Sequence, residues 1–166
     1  EPAVKPAAQN HRGEKVAVMA TPLTLHEEKF KQLVKRYENL ATIIPVPCPD
    51  LVEYVEKGIL EGPELEGYLK DVLTPCLQEG VKAVVLGCTH FPLVKAAIGK
   101  VVGESVRIYD GGEGTARQAK CLLAAKNLCT DQEKGHICFE SSAPEKEAYY
   151  EALYRKAAHI DSRVKL

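Results

Sequence analysis

The sequence predicts an α/β fold, a mostly parallel sheet with flanking helices, and three observations support this prediction. Strand-like and helix-like segments alternate from residue 15 onward, a pattern typical of βαβ units with right-handed crossovers. The segments KVAVMA (15–20) and KAVVL (82–86) are apolar almost throughout, as expected of strands that are covered on both faces. The composition, 45% hydrophobic and 27% charged, is that of a globular domain.

The strands are predicted from short apolar or β-branched runs that end in turn-forming residues. The segment 42–46 (TIIPV) contains Pro45. Proline cannot donate a ladder hydrogen bond, so this strand is expected near an edge of the sheet. The predicted strands are 15–20, 42–46, 82–86, 106–109 and 136–139.

The helices are predicted from apolar residues that recur every three or four positions. The clearest covers 64–78, where Pro75 is expected to kink or end the last turn. Thr24 is the predicted N-cap of the first helix, with Glu27 three residues later. The predicted helices are 24–37, 50–57, 64–78, 93–102, 114–127 and 144–158.

Length and charge exclude several classes of protein. A chain of 166 residues can bury a hydrophobic core without disulfides. Its 22 Lys and Arg residues against 23 Asp and Glu give a net charge of −1, unlike a strongly basic nucleic-acid binder or an acidic disordered chain. No stretch approaches the roughly 18 apolar residues of a membrane span. We therefore expect neither nucleic acid nor a membrane as a partner.

The six cysteines predict neither disulfides nor a metal site. We expect no secretory signal, and several of the cysteines lie inside periodic segments. Both points argue against a disulfide framework. It contains no CxxC or HxxxH pair, so a zinc site lacks the usual ligand spacing. We expect most of the cysteines to be small buried hydrophobes. We also expect that the protein uses no cofactor.

The segment GCTHFP (87–92) holds the candidate reactive group. Gly87 lets the backbone turn sharply at the end of an apolar strand. Cys88 follows at the carboxyl end, just before a predicted helix whose N-terminus favours the thiolate anion. His90 could act as a charge partner or proton donor, and Thr89 offers a hydroxyl group. The alternative is a cysteine at a strand end with a histidine that stabilises the turn.

This segment resembles the GCTH(F/Y)P signature of the glutamate racemases, a family of the aspartate/glutamate racemase superfamily. Further segments resemble the same family in its order and spacing. They are EPAVKPA (1–7), similar to the interdomain linker; VMATPLT (18–24), similar to a strand with a Thr-x-x-Thr end; PCP with LVEYVEKG (47–49 and 51–58); and IYDGGEGTA (108–116), similar to IDSGEETA with Gly in place of Ser and Glu.

The resemblance implies cofactor-independent interconversion of L- and D-glutamate in the cytoplasm, supplying D-glutamate for peptidoglycan. The family uses two cysteines on opposite faces of the substrate α-carbon. By this resemblance Cys88 is the second catalytic cysteine, His90 assists it, and Glu56 orients His90. Thr89 and His90 also match substrate-contacting positions. The remaining substrate positions, matched more loosely, are Thr21 and Thr24.

The family's ACNTA segment, which carries the first catalytic cysteine, and its DSG segment do not occur in this sequence. The chain begins at Glu1 and its only methionine is Met19, so we expect a processed chain or part of a longer one. The resemblance implies an interdomain linker at 1–13, the second α/β domain at 14–110, and a segment at 111–166 that completes the first domain. We expect the chain alone to be inactive or weak, with that first domain as a partner and a homodimer as one form of the full enzyme.

The residues also allow two alternative functions and two alternative sites. The Cys88–His90 pair also suits a thiol hydrolase or lyase, and a helix N-terminus could hold a carboxylate without chemistry. Cys48 is a rival nucleophile because it also follows a strand, although its flanking prolines indicate a structural turn. The run 111–114 (GGEG) lacks the Lys-Ser/Thr ending of a phosphate-binding loop. In the absence of a partner, the helix at 114–127 is expected to expose Leu122 or Leu123.

Overall fold

The computed structural model describes residues 2–130 and 135–161. The chain divides into two compact units, 1–118 and 119–166. The expected division into segments 1–13, 14–110 and 111–166 refers to a larger enzyme and stays a prediction. Residues 1, 131–134 and 162–166 of these segments lie outside the described part of the chain.

The first unit contains a four-stranded, entirely parallel sheet. Its strands are β1 (Lys15–Ala20), β2 (Thr42–Pro47), β3 (Ala83–Leu86) and β4 (Arg107–Tyr109). Their order is β2-β1-β3-β4. The register places Val16 opposite Ile43 on one side and Ala83 on the other. This sheet confirms the predicted α/β class and four of the predicted strands.

Burial separates the inner strands from the edge strand that carries Pro45. Every residue of β3 and nearly all of β1 are buried, as expected for central strands covered on both faces. Strand β2 lies at one edge, with Pro45 opposite Val18. The edge position predicted from Pro45 is therefore confirmed, since a missing N–H is tolerated where no further strand pairs.

Helices cover the sheet and connect its strands. In the first unit they are α1 (Val4–Asn10), α2 (Pro22–His26), α3 (Glu28–Tyr37), α4 (Leu51–Glu56), α5 (Pro63–Gln78) and α6 (Lys95–Val102). Helix α7 spans Gly112–Ala125, and α8 spans Glu147–Asp161. A short 3₁₀ helix, Phe91–Val94, precedes α6. Pro75 lies inside α5 without ending it.

The segment before β1, expected as an interdomain linker, contains a helix that was not predicted. Residues Val4–Asn10 form α1. Val4, Ala7 and Ala8 are buried in a hydrophobic cluster with Val16. Two alanines give a weak hydrophobic signal in the sequence, but their small side chains let the helix approach the sheet closely, and this packing stabilises a helix too short to form alone.

The predicted helix 24–37 forms as two helices. Glu27 has an extended backbone (φ −66°, ψ 142°), which ends α2 and begins α3. Thr21, not Thr24, is the N-cap of α2, and its side chain accepts a hydrogen bond from the Thr24 N–H group. The Ser/Thr preference at this helix start was predicted correctly, but the capping residue lies one turn earlier.

The second unit carries the predicted C-terminal helix but not the predicted strand. Residues 136–139 lie in an irregular segment, and Ile137 is 62% exposed. A strand needs a neighbour to pair its backbone groups, and the described residues of this unit provide none. On helix α7, Leu122 and Leu123 are 51% and 45% exposed, which confirms the apolar surface expected on that helix.

Candidate active site

Three strand ends bring the predicted residues to one edge of the sheet. Thr21 follows β1, Cys48 follows β2, and the Gly87-Cys88 pair follows β3. The Cys48 N–H group donates to the Ala20 carbonyl at 2.9 Å, and the Gly87 N–H group donates to the Met19 carbonyl at 2.8 Å. The parallel ladder therefore continues past each strand and fixes the two cysteines at the carboxyl edge, where ligands bind in open α/β sheets.

Gly87 is required by close backbone contact. A Cβ atom at this position would lie 2.7 Å from the Met19 carbonyl oxygen and 3.3 Å from the Ala20 Cβ atom. Any larger residue would push β3 away from β1 just before Cys88. Contact with the neighbouring strand β1 is therefore the reason for glycine at this position.

Cys88, His90 and Glu56 form a line of hydrogen-bonding groups. The Cys88 Sγ atom lies 3.8 Å from His90 Nδ1, and His90 Nε2 lies 2.9 Å from Glu56 Oε1. Thr89 Oγ1 lies 3.5 Å from the same Nδ1. The His90 side chain is 31% exposed and that of Glu56 is 41% exposed. With Nε2–H donating to the carboxylate, Nδ1 faces the sulfur and can accept its proton.

Helix α4 carries Glu56 to this position. Leu51 and Val55 are completely buried and anchor the helix in the core, and Glu56 is its last residue. The helix also packs against the 3₁₀ helix Phe91–Val94 that follows His90. The Glu56–His90 contact joins residues 34 positions apart, so the residues alone left Glu56 as an ordinary helix-end carboxylate, and only the family resemblance singled it out.

The α-helix after Cys88 was predicted over 93–102, and its N-terminus lies farther from Cys88 than expected. The turn at His90 leads into the 3₁₀ helix Phe91–Val94, and α6 begins only at Lys95. The Cys88 carbonyl accepts the Phe91 N–H group at 3.2 Å. The imidazole, rather than the dipole of an adjoining α-helix, is therefore the group placed to interact with the sulfur.

Cys48, the rival nucleophile, is in an environment that suppresses ionisation. It is completely buried, and its S–H group lies 3.4 Å from the Val46 carbonyl oxygen. Burial, followed by the nearby Cys76 and Cys88 thiols, raises the pKa of Cys48 to about 12. At neutral pH this thiol stays protonated, which supports its interpretation as part of a structural turn.

The other cysteines divide between interior and surface. All six are free. Cys76 is buried, and burial raises the pKa of its thiol. The exposed ones are Cys121, Cys129 and Cys138. The absence of disulfides stays a prediction, whereas the prediction that most of the cysteines are buried is wrong, because three of the six are exposed and Cys88 is only half-buried.

Thr21 and Thr24 contact each other at the start of α2. Their hydroxyl oxygens are 3.0 Å apart, and the Thr24 N–H group lies 3.4 Å from Thr21 Oγ1. Both threonines are half-buried. Within the described residues, their hydrogen bonds join them to each other and not to Cys88 or His90.

The ion pair at the end of β4 was not predicted from the sequence. Lys95 Nζ lies 2.8 Å from Asp110 Oδ2, and the Gly112 N–H group donates to Asp110 Oδ1 at 3.0 Å. Burial opposes ionisation of this carboxyl group, but the hydrogen bonds from Lys95 and Gly112 and the Lys95 charge together lower the pKa of Asp110. The run 111–114 is thus the start of α7, held by Asp110. The signal that could have revealed it is an Asp shortly before the predicted helix 114–127, because Asp is favoured just before helix starts.

The described residues hold neither a cluster suited to a metal ion nor a helix suited to span a membrane. No group of three or more His, Cys, Asp and Glu side chains there is arranged to hold a metal ion. Among those residues, no helix has both the length and the apolar character needed to cross a membrane.

The sequence is similar to those of known racemases. The Asp/Glu/Hydantoin racemase family matches residues 1–119. A glutamate racemase from Clostridium kluyveri is 47% identical over 134 residues, covering 81% of this chain and 52% of the relative. One from Clostridium perfringens is 43% identical over 147 residues, covering 88% and 56%. The chain spans about half the length of the curated relatives it matches.

A solved structure has a similar fold. It is that of Escherichia coli glutamate racemase in complex with L-glutamate and the activator UDP-MurNAc-ala, with a TM-score of 0.73 and 30% sequence identity. The similarity covers 93% of this chain and 59% of that one.

Proposed function

The chain belongs to the Asp/Glu/Hydantoin racemase family, and from this premise we propose that it carries one side of a glutamate racemase active site. The observation that carries the proposal is the line from Cys88 through His90 to Glu56, with separations of 3.8 and 2.9 Å. A half-buried thiol beside an imidazole that a carboxylate orients is suited to proton transfer at a carbon atom. The relatives named glutamate racemases and the relative solved with L-glutamate support glutamate as the substrate.

In the proposed reaction, the Cys88 thiolate removes the α-proton of glutamate, and the electron pair of the C–H bond stays on the α-carbon. A second proton carrier then protonates the opposite face, which inverts the configuration. His90 takes the Cys88 proton before the reaction, and Glu56 stabilises the resulting imidazolium ion. Each turnover exchanges the protonation states of the two carriers. The enzyme is then ready for the reverse reaction without a cofactor.

We propose that the second carrier is a cysteine outside these 166 residues. A single base tends to return the proton to the face it came from, so inversion requires an opposed partner. Cys48 and Cys76 are buried with raised pKa values, and the sequence has no ACNTA segment. A polypeptide equivalent to the remaining half of the relatives would supply the carrier, and exposed Leu122 and Leu123 are available to pack against it.

The remaining roles follow from the same proposal. Thr89 and His90 would contact the substrate, and the hydroxyl pair of Thr21 and Thr24 would lie near one of its carboxylates. We assign the product D-glutamate to peptidoglycan synthesis and the protein to the cytoplasm, where a thiolate base stays reduced. A homodimer of the full enzyme belongs to the same proposal.

One alternative has an observation in its favour. A cysteine, a histidine and an orienting carboxylate in line are also the parts of a thiol hydrolase. The two functions differ in what happens at the substrate. A hydrolase forms a covalent acyl-enzyme on Cys88, whereas a racemase exchanges the α-proton with solvent.

The test is deuterium incorporation at the α-carbon of glutamate in D₂O. The chain is combined with the half of a clostridial relative that it does not cover, and the α-proton signal is followed by NMR. L- and D-glutamate are tested separately. We expect exchange of both with the wild-type chain and, with Cys88→Ala, a loss of at least about 10²-fold for the enantiomer whose α-proton Cys88 removes, because a positioned acid–base group contributes about that much. Cys121→Ala, which changes an exposed cysteine, is the matched control.

Two outcomes would count against the proposal. Exchange of both L- and D-glutamate that survives Cys88→Ala would remove Cys88 as the base, because the second carrier alone could exchange only one enantiomer. Full racemisation by the chain alone would contradict an external second carrier. A covalent Cys88 adduct with an acyl substrate, without α-proton exchange, would favour the hydrolase.

A further inference from the structure

We propose that Tyr68 is a positioning residue for the site, because its hydroxyl group caps the start of α4 and thereby holds Glu56 against His90. The inference rests on the proposed function, in which the Glu56–His90 contact orients the imidazole toward Cys88. It assigns a role to a residue on α5, a helix that contributes no atom to the reacting groups.

Tyr68 supplies what α4 lacks at its N-terminus. The first N–H groups of a helix have no partner within the helix and need an external acceptor. The N-cap of α4 is Asp50, whose side chain makes no capping hydrogen bond. Instead, the Asp50 N–H group donates to the Tyr68 hydroxyl oxygen at 3.3 Å. Tyr68 therefore acts as the cap from another helix.

The phenol is held in its neutral form at this position. Burial is the main cause that raises the pKa of Tyr68 to about 12, and the nearby Cys48 and Asp50 raise it further. The hydrogen bond from the Asp50 N–H group, 3.3 Å long, opposes this rise. The neutral phenol oxygen thus stays available as the acceptor for the Asp50 N–H group.

Helix α4 is short and anchored, so a displacement at its start reaches its end. It contains six residues, less than two full turns. Glu56 is the last of them and lies 2.9 Å from His90. Tyr68 itself is fixed by its neighbour Leu69, which is completely buried, and by the Tyr54 ring, whose centre lies 5.3 Å away. The cap is therefore tied to the core of the unit.

The test is the reactivity of Cys88, which does not require racemase activity. The 166-residue chain is treated with iodoacetamide between pH 5 and 10, and alkylation of each cysteine is followed by peptide mass spectrometry. An imidazolium ion held beside the sulfur favours the reactive thiolate. We expect Tyr68→Phe to slow Cys88 alkylation near neutral pH by about two- to tenfold, the effect that one lost hydrogen bond can transmit, and to move the profile to higher pH.

Tyr54→Phe is the matched control, because it removes a hydroxyl group from the other ring of the same pair and leaves the α4 cap in place. A second comparison separates positioning from a general loss of structure. Tyr68→Phe is repeated in a Glu56→Gln background, and a residue that acts through Glu56 should then have no further effect on the profile. Circular dichroism checks that each variant is folded.

The outcomes distinguish this inference from the proposed function. If Glu56→Gln leaves the Cys88 profile unchanged, the arrangement of the proposed site is wrong and the role of Tyr68 falls with it. If Glu56→Gln moves the profile but Tyr68→Phe does not, only the role of Tyr68 is overturned. An equal effect of Tyr68→Phe in both backgrounds also overturns it, because the effect would not pass through Glu56.

Discussion

Two strand ends of one sheet, on either side of β1, carry a cysteine each, and their environments differ sharply. Cys48 after β2 is completely buried, and its pKa is raised to about 12. Cys88 after β3 is half-buried, with the His90 ring 3.8 Å from its sulfur. Both positions satisfy the rule that ligands bind at the carboxyl ends of parallel strands. The position after a strand is therefore insufficient to identify a reactive thiol, and the surrounding groups decide.

Selective alkylation sharpens this comparison and has the largest expected effect. With a pKa of about 12, the Cys48 thiol is ionised to only about one part in 10⁴ at pH 8, and burial also blocks the reagent. We expect iodoacetamide to modify Cys88 at least about 10³-fold faster than Cys48 at this pH, measured by peptide mass spectrometry.

The same chain in concentrated urea provides the control, because unfolding removes both environments and should bring the two rates together. Comparable rates in the folded chain would show that the two strand ends are not chemically distinct.

Gly87→Ala is expected to disturb one strand end and spare the other. The new methyl group would lie 2.7 Å from the Met19 carbonyl oxygen, so β3 must shift away from β1 at Cys88. Overpacking of this kind costs about 1–3 kcal/mol of unfolding free energy. Urea denaturation measures the loss, and Cys88 alkylation should slow at the same time.

Gly67→Ala is the matched glycine substitution. Gly67 lies within α5, and an added methyl group there meets nothing within 4 Å. We expect it to stabilise the chain by up to about 1 kcal/mol, since alanine favours helix over glycine. If both variants behave alike, the close contact at Gly87 has no energetic consequence.

The comparison also shows which features the sequence could predict. Strand β1 was predicted at its observed bounds because a continuous apolar run has one simple interpretation. The edge position of β2 followed from the missing N–H group of Pro45. Helix α1 was missed because Ala7 and Ala8 become informative only when a sheet lies beneath them.

The site shows the same division between local and distant information. The segment from Gly87 to His90 is local, so its residue types suggested a reactive cysteine directly. Glu56 reaches His90 from another helix, and no spacing rule connects residues so far apart. Their contact depends on how α4 packs, which in turn depends on Tyr68 and on buried leucine and valine side chains. Family resemblance singled out Glu56, and it left Tyr68 without a role.

A third strand end gives the smallest effect and extends the comparison to charge. Asp110 after β4 pairs with Lys95 at 2.8 Å and accepts the Gly112 N–H group. Although burial opposes its ionisation, these partners lower the pKa of Asp110 in the folded chain. A carboxyl group with a lowered pKa contributes stability above its unfolded pKa of about 3.9, and that stability is lost as the pH falls through the lowered folded value. We expect Asp110→Asn to reduce the free energy of unfolding at pH 6 and to become indistinguishable from wild type at the lowest pH, as measured by urea denaturation across pH 2–6.

Glu113→Gln is the control, because that carboxylate is 85% exposed beside Arg117 and exposed pairs contribute little. A stability difference for Asp110→Asn that grows toward low pH would show that the ionised carboxylate at this strand end is unfavourable, in contrast to its pairing with Lys95.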